Sequence, residues 1–328
     1  MSTNDSEETT YLSLVKACDD FPYGPAANTY YRLYLPDDDQ PHGFMTPEVV
    51  RKMPWTSDFV VRHDDPRSVT VLVDSSNGKD TAAAINAAFH KLISICIDRD
   101  LFHVLCRQHS ELSAIVGTRY TSPVAVERFA AGLFGIMSKG AMLIAYTTTT
   151  NSKNDDDKTL DKIWVSRRSA HLYTYPGMLD VTVGGGVKAG DSPFDTLIQE
   201  AGEEASLPED LVRKKTKARG VLSHMNTTGP DFKGEKGLVV PDYIYVYDIA
   251  LPENVVPRPH DDEVEGFICM SVPELQAALL GREFKTDSAA ALVLFLMVHG
   301  VITPENETDY VEISMRLHRL LPFRTRAE

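Results

Sequence analysis

Apolar and polar positions repeat along this chain with two periods, and the two periods place its elements. Residues 12–17 open a helix. "YYRLYLP" (30–36) and "SVTVLVD" (68–74) alternate as strands do. Between residues 81 and 99, Ala84, Ile85, Ala88, Leu92 and Ile95 recur at helical spacing, and residues 101–112 are expected to continue as a second helix. This first block reads as α+β, with a seam at 122–129. Beyond residue 133 strands predominate. "FGIMSKGAMLIAYTTT" is expected to make two strands around Lys139 and Gly140, with further strands at 162–168, 242–251 and 264–271. Three helices should close the chain, at 272–280, 288–299 and 307–321. The apolar run 289–298 is too short for a bilayer, which needs about 20 residues. With Asp287 as N-cap and Gly300 as stop, it reads as a buried helix. The polar stretch 149–158, with Asp155, Asp156 and Asp157, reads as a solvated loop.

Composition narrows the function more than the fold. The 328 residues are 43% hydrophobic and 24% charged, an ordinary globular balance. A net charge of −14 argues against a general nucleic-acid binder, which needs a basic face to displace counterions. It leaves an anionic substrate open, because a bound divalent cation reverses the local field. Cys18, Cys96, Cys106 and Cys269 are scattered, as expected of reduced thiols in a cytoplasmic protein. The acidic first ten residues read as a frayed tail rather than a signal peptide. No membrane partner is expected, and a homo-oligomer is left open. No H-E-x-x-H, G-x-S-x-G or G-x4-G-K-[ST] pattern occurs.

One stretch carries chemistry: "GGGVKAGDSPFDTLIQEAGEEASL", residues 184–207. Ser192 followed by Pro193 is a helix start, a capping oxygen and then a residue with no N–H to satisfy. The helix should run to Ala205. At about 100° per residue, with Glu200 at zero, Glu204 falls near 40° and Glu203 near −60°. Leu197, Ile198, Ala201 and Ala205 form the neighbouring apolar stripe. Such a helix packs on a sheet with one face and lines a cleft with three carboxylates on the next. Like charges at this spacing repel by a few tenths of a kcal/mol per pair when solvated. A hard cation among the oxygens reverses that sign. Gly184, Gly185, Gly186 and Gly190 let the preceding backbone approach such a site closely.

These residues resemble the Nudix box, G-x5-E-x7-R-E-U-x-E-E-x-G-U. Aligned on Gly185, its glutamates fall on Glu200, Glu203 and Glu204. The sequence departs from it at Asp191, Gln199, Ala201 and Ser206. The family's arginine holds a glutamate by a charged bond, and Gln199 can donate only a neutral one. Collinear stretches at 18–24, 35–55, 133–146, 162–186, 203–213, 246–267 and 299–323 are similar to one Nudix group of fungi and plants. It is the group related to thiamine pyrophosphokinase, with its own N-terminal domain. The resemblance implies an α/β fold, a Nudix α/β/α sandwich with a mixed sheet, preceded by a smaller α+β domain. The expected layout is a tail at 1–10, an N-terminal domain at 11–125 and a Nudix domain at 126–328, which together account for the chain.

The resemblance further implies Mg²⁺, for which Mn²⁺ substitutes, held by Glu200, Glu203, Glu204 and the Gly185 carbonyl. It implies hydrolysis of thiamine diphosphate, or its oxo or oxy analogues, to the monophosphate and phosphate. The proton acceptor is left among Glu203, Glu204 and two outside acids, Glu263 and Glu265, which on a strand would point the same way. Arg167 and Arg168 end a strand near the glycine loop, where either would hold phosphate. Tyr175 would stack on a substrate ring, and His224, after a strand, would reach the cleft. Two other readings stand beside this one: a Nudix hydrolase of another diphosphate, such as a nucleotide sugar, and a non-catalytic diphosphate-binding protein.

Overall fold

The computed structural model describes residues 9–73, 80–150, 158–188, 190–230 and 232–325. The expectations for residues 1–8, Asp74 and Asp155 to Asp157 lie outside these. Helix α1 (Tyr11–Cys18) starts at Thr10, which with Ser13 forms a capping box. Strands β1 (Tyr31–Tyr34) and β2 (Gly43–Met45), helix α2 (Pro47–Lys52), and strands β3 (Phe59–Arg62) and β4 (Ser68–Val71) follow. Helix α3 (Thr81–Asp98) comes next, then the short pair β5 (Leu112–Ala114) and β6 (Ala125–Glu127), and helix α4 (Arg128–Phe134). Among the described residues the N-terminal strands form a mixed sheet in the order β2-β1-β4-β3. Its core brings Leu33, Val69, Ile85, Phe89 and Leu92 together with Leu133 and Phe134 of α4.

The second sheet is built from long strands: β7 (Ser138–Thr150), β8 (Lys158–Arg168), β11 (Lys217–Thr227), β12 (Val239–Ala250) and β13 (Val264–Ser271). Its order is β11-β12-β7-β8-β13, with β9 (Leu179–Asp180) on β8 and β10 (Val183–Gly186) on β7. It is mixed, because β12 and β7 run parallel while β7 and β8 are antiparallel. Alternation sorts the two faces. Ala141, Leu143 and Ala145 of β7 meet helices α5 (Pro193–Ala205) and α6 (Glu209–Lys215). Met142, Ile144 and Tyr146 meet α7 (Val272–Leu280), α8 (Thr286–Val298), α9 (Tyr310–Leu317) and also α1. The expected mixed sheet between helix layers is therefore present. Packing does not follow chain order, however: α1 lies in the second core and α4 in the first.

Three local expectations are corrected. Residues 101–112 form no α-helix but a 3-10 turn, His103–Leu105, and the start of β5, because Cys106 and Arg107 both turn left-handed at φ 51° and 56° and stop any helix. Lys139 and Gly140 are no turn but lie inside β7, where a Cβ at Gly140 would stand 3.3 Å from Ile244. The N-cap of α8 is Lys285, which places Asp287 within its first turn.

Helix α5 spans the predicted residues. Ser192 caps it, accepting from the Asp195 N–H, and Pro193 opens it. It ends at Ser206 with φ 53°, where the box has glycine. A serine held there is strained by about 1 kcal/mol. Ser206→Gly should therefore stabilise the protein by about that amount, read as a higher urea midpoint. An unchanged or lower midpoint would contradict the strain.

Candidate active site

The glycine run and the carboxylates are fitted to each other. β10 places Gly186 opposite Gly140 and Gly185 opposite Ala141, and Val187 N–H donates to the Lys139 carbonyl at 2.8 Å. The Glu200 side chain lies against the bare Cα of Gly185. A Cβ there would sit 2.5 Å from Oε1, so a side chain at position 185 would displace the Glu200 carboxylate. Glu204 is buried, and its Oε2 accepts from Gly184 N–H at 3.1 Å. Glu203 is exposed, and Gln199 Nε2 donates to its Oε1 at 2.9 Å. The neutral bond expected of Gln199 is thus made, to the exposed glutamate one turn on.

These carboxylates are poorly compensated. Burial first, then Glu203 and Glu263, push Glu200 up to about 7; Lys188 opposes and Asp261 adds. Burial drives Glu204 well above the carboxylate range, against the Gly184 N–H, and Glu200, Asp180 and Glu263 push the same way. Glu263 therefore joins the cluster. Glu265 does not act on either group as Glu263 does. It is the extra residue of a β-bulge between Val264 and Gly266, which breaks the alternation that would have aligned the pair. Asp191 sits exposed in the turn ahead of Ser192.

A hard oxygen set with surplus negative charge, one member cradled by glycine, fits a divalent cation such as Mg²⁺. The oxygens are not gathered: among the described residues only His90, His109 and Glu127 bring three ligand atoms within 4.8 Å of one another. Mutual repulsion accounts for the spread and predicts proton linkage. With Glu200 raised to about 7, a cation must displace its proton below that pH. Mg²⁺ binding should tighten as pH rises from about 6 to 8, with proton release detectable by calorimetry in buffers of different ionisation enthalpy. Affinity flat across that window would contradict the shift.

The arginines serve the loop between β8 and β9. Arg168 pairs with Asp180 at 3.0 Å, and its remaining nitrogens donate to the Thr174 carbonyl, so its planar fork is engaged within the protein. A phosphate at Arg168 would have to displace these bonds. Arg167 donates through Nη1 to the Gly177 carbonyl and is half-buried.

His224 lies within β11, not after a strand, on the face away from α5. There it joins a buried polar cluster, which the sequence pattern did not reveal. Asp242 stands opposite it across the β11–β12 pair, and Ser138 opens β7 beside Asp242. Lys285 and Asp287, 3.1 Å apart at the start of α8, and Cys18 at the end of α1 complete the cluster. Tyr175, left-handed at φ 50°, stands at its edge with its hydroxyl 3.5 Å from Thr286 Oγ1. Neither ring nitrogen of His224 nor Oδ1 of Asp242 has a hydrogen-bond partner. Burial holds His224 below the usual histidine range, and burial with Asp287 lifts Asp242 to about 7. Lys285 stays charged although burial disfavours it, because Asp287 and Asp180 stand beside it. Orphaned buried groups cost about 1–3 kcal/mol each, so this cluster carries unmet hydrogen-bonding capacity. Only a spatial signal, charged residues of distant segments buried together, would have found it.

The polar cluster and the acidic face both reach the start of β7. Ser138 lines the first; Lys139 and Gly140 hold the glycine run of the second.

Residues 153–320 match the NUDIX domain family. A Saccharomyces cerevisiae protein named only as uncharacterized YJR142W is 39% identical over 62% of this chain and 58% of its own. Nudix hydrolases 20 and 24 of Arabidopsis thaliana, both named as chloroplastic, are 32% and 31% identical over 60% and 59% of this chain. They are covered over 49% and 48% of their length, so the chain spans about half of the curated relatives it matches. With its box helix, glycine cradle and mixed sheet between helices, the chain belongs to the NUDIX domain family, that of the Nudix hydrolases.

Proposed function

We propose that the chain is a divalent-cation-dependent hydrolase of a small ring-bearing diphosphate. The substrate proposed is thiamine diphosphate or its oxo or oxy analogues, leaving the monophosphate and phosphate. The observation that carries this reading is the junction over residues 138–140, where the acidic face of α5 and the glycine run adjoin the buried polar cluster. A diphosphate on the first and its ring in the second would span one continuous site. Mg²⁺ or Mn²⁺ held by Glu200, Glu203, Glu204 and the Gly185 carbonyl supplies neutralisation of phosphate charge and acidifies water. Glu263 faces the cluster from outside the helix, exposed, and is proposed to take the proton of the attacking water. Arg167 remains a candidate for phosphate through its other N–H groups. Neutral His224 offers one donor and one acceptor, and Asp242 near neutrality offers either, which suits the amino and ring nitrogens of a pyrimidine. The free cysteines are consistent with a cytoplasmic working location, proposed here with the activity.

The test is phosphate release with Mg²⁺ across thiamine diphosphate, its oxo analogue and nucleotide sugars. Turnover of the thiamine compounds, with KM raised about tenfold or more by Asp242→Asn and kcat changed less, is the expected outcome. Turnover of nucleotide sugars alone would reassign the substrate. Tight binding without turnover would favour the second reading, a binding protein, for which the neutral Gln199 to Glu203 bond is the supporting observation.

A further inference from the structure

Away from the box, the N-terminal sheet region holds a second kind of donor set. His90 projects from α3, His109 from the loop after the 3-10 turn, and Glu127 from the end of β6. Their ligand atoms lie within 4.8 Å of one another. His109 Nδ1 is 2.7 Å from Glu127 Oε1 and His90 Nδ1 is 3.4 Å from the same oxygen. The two imidazoles stack at 5.1 Å, 29° from parallel.

We propose that His90, His109 and Glu127 form a transition-metal site of the zinc class. The Glu127 side chain is 5% exposed, whereas those of His90 and His109 are 67% and 50% exposed. A carboxylate that deep is costly unless a cation neutralises it. Among the described residues its contacts are these two imidazoles and the Ser110 N–H, which donates to Oε2 at 3.1 Å. Two exposed imidazoles over one buried carboxylate leave an entry path and room for water in the remaining coordination positions. The Ser110 N–H holds the second carboxylate oxygen, the outer support such ligands normally have. Imidazole with carboxylate suits Zn²⁺ and its neighbours, whereas Mg²⁺ prefers oxygen alone. The separations are close to those needed. Ligand bonds of about 2.0–2.2 Å in a tetrahedron put donor atoms roughly 3.3–3.5 Å apart. His90 and Glu127 already stand so, and His109 must withdraw by under about 1 Å. The metal would tie α3 to β6 and to the loop between them. This proposal is independent of diphosphate hydrolysis.

The experiment uses the full chain, stripped with a chelator and titrated with Zn²⁺ against a chromophoric zinc indicator, and with Co²⁺ for its visible absorption. Three proteins are compared: the parent, His90→Ala/His109→Ala, and Glu200→Gln/Glu203→Gln/Glu204→Gln. The proposal expects one tight site in the parent and in the triple glutamine variant. It expects about a 100-fold or greater loss, with the Co²⁺ band gone, in the double alanine variant. Both histidines are exposed, so the double variant should fold; equal circular dichroism spectra check this, and His109→Gln alone, also expected to weaken the site, serves if they differ. Binding unchanged by the histidine replacements, binding lost in the glutamine triple, or no site tighter than about 100 μM in the parent would each overturn the assignment.

Discussion

Replacing Glu200 by glutamine is expected to lower the rate of phosphate release by about 10²–10⁴-fold while making the metal-free protein more stable at pH 8. The two effects have one cause. Glu200 is lifted from 4.5 to about 7 by burial and by Glu203 and Glu263. Raised in the folded state, it contributes stability that is fully present below about pH 4.5 and lost as pH rises through about 7. The full shift would correspond to about 3 kcal/mol, and solvent screening of this partly exposed group reduces it to roughly 1–2. Glutamine keeps the shape that fits against Gly185 and removes the charge. The metal-free variant should therefore show a flatter dependence of unfolding free energy on pH between about 5 and 8. The parent should recover the difference when Mg²⁺ is added, and the variant much less. A solvated helix face with no cation site predicts neither result. An active Glu200→Gln enzyme, or a parent indifferent to Mg²⁺, would end the hydrolase reading.

Arg319→Ala should destabilise the fold by about 3–5 kcal/mol, with loss of cooperative unfolding a further expected sign. Arg319 is 7% exposed and its guanidinium donates to Asp19 Oδ1 at 2.7 Å, to the Phe21 carbonyl at 2.8 Å and to the Pro22 carbonyl at 3.1 Å. It also lies 3.8 Å from the Tyr23 ring centroid. Asp19 is 1% exposed, accepts from the Met225 N–H and meets Arg316 at 3.7 Å. Removing the arginine leaves that carboxylate buried beside the weaker partner. The pair joins the end of α1 to β11 and to the segment after α9, and it borders the buried polar cluster through Cys18 and His224. Asp19→Asn combined with Arg319→Met should restore much of the loss, because it removes both charges and keeps most of the volume. Urea denaturation of the three proteins measures this, and a single replacement costing under about 1 kcal/mol would show that the network is not what holds these ends together.

Local forces made α5 legible. A capping serine, a proline and an apolar stripe all act within a few residues, and the helix spans the predicted 193–205. The long strands β8, β12 and β13 were legible for the same reason, through alternation and β-branched or aromatic content. The helix expected over 101–112 failed because two successive left-handed residues, Cys106 and Arg107, follow from how that loop packs rather than from their own preferences. Gly140 looked like a turn residue, yet its lack of a side chain serves close packing on Ile244.

What the sequence determined by itself is the layout of one helix: three carboxylates within a turn of one another beside a glycine run, because spacing along a single helix sets direction. What only the tertiary structure decided is which distant groups come together. The bulge at Glu265 chose Glu263, the β8–β9 loop engaged Arg168, and strand register gathered His224, Asp242 and Ser138 beside Lys285 and Asp287. Burial and charge coupling depend on distance through space, and residues more than a hundred positions apart carry no mark of that distance in their order.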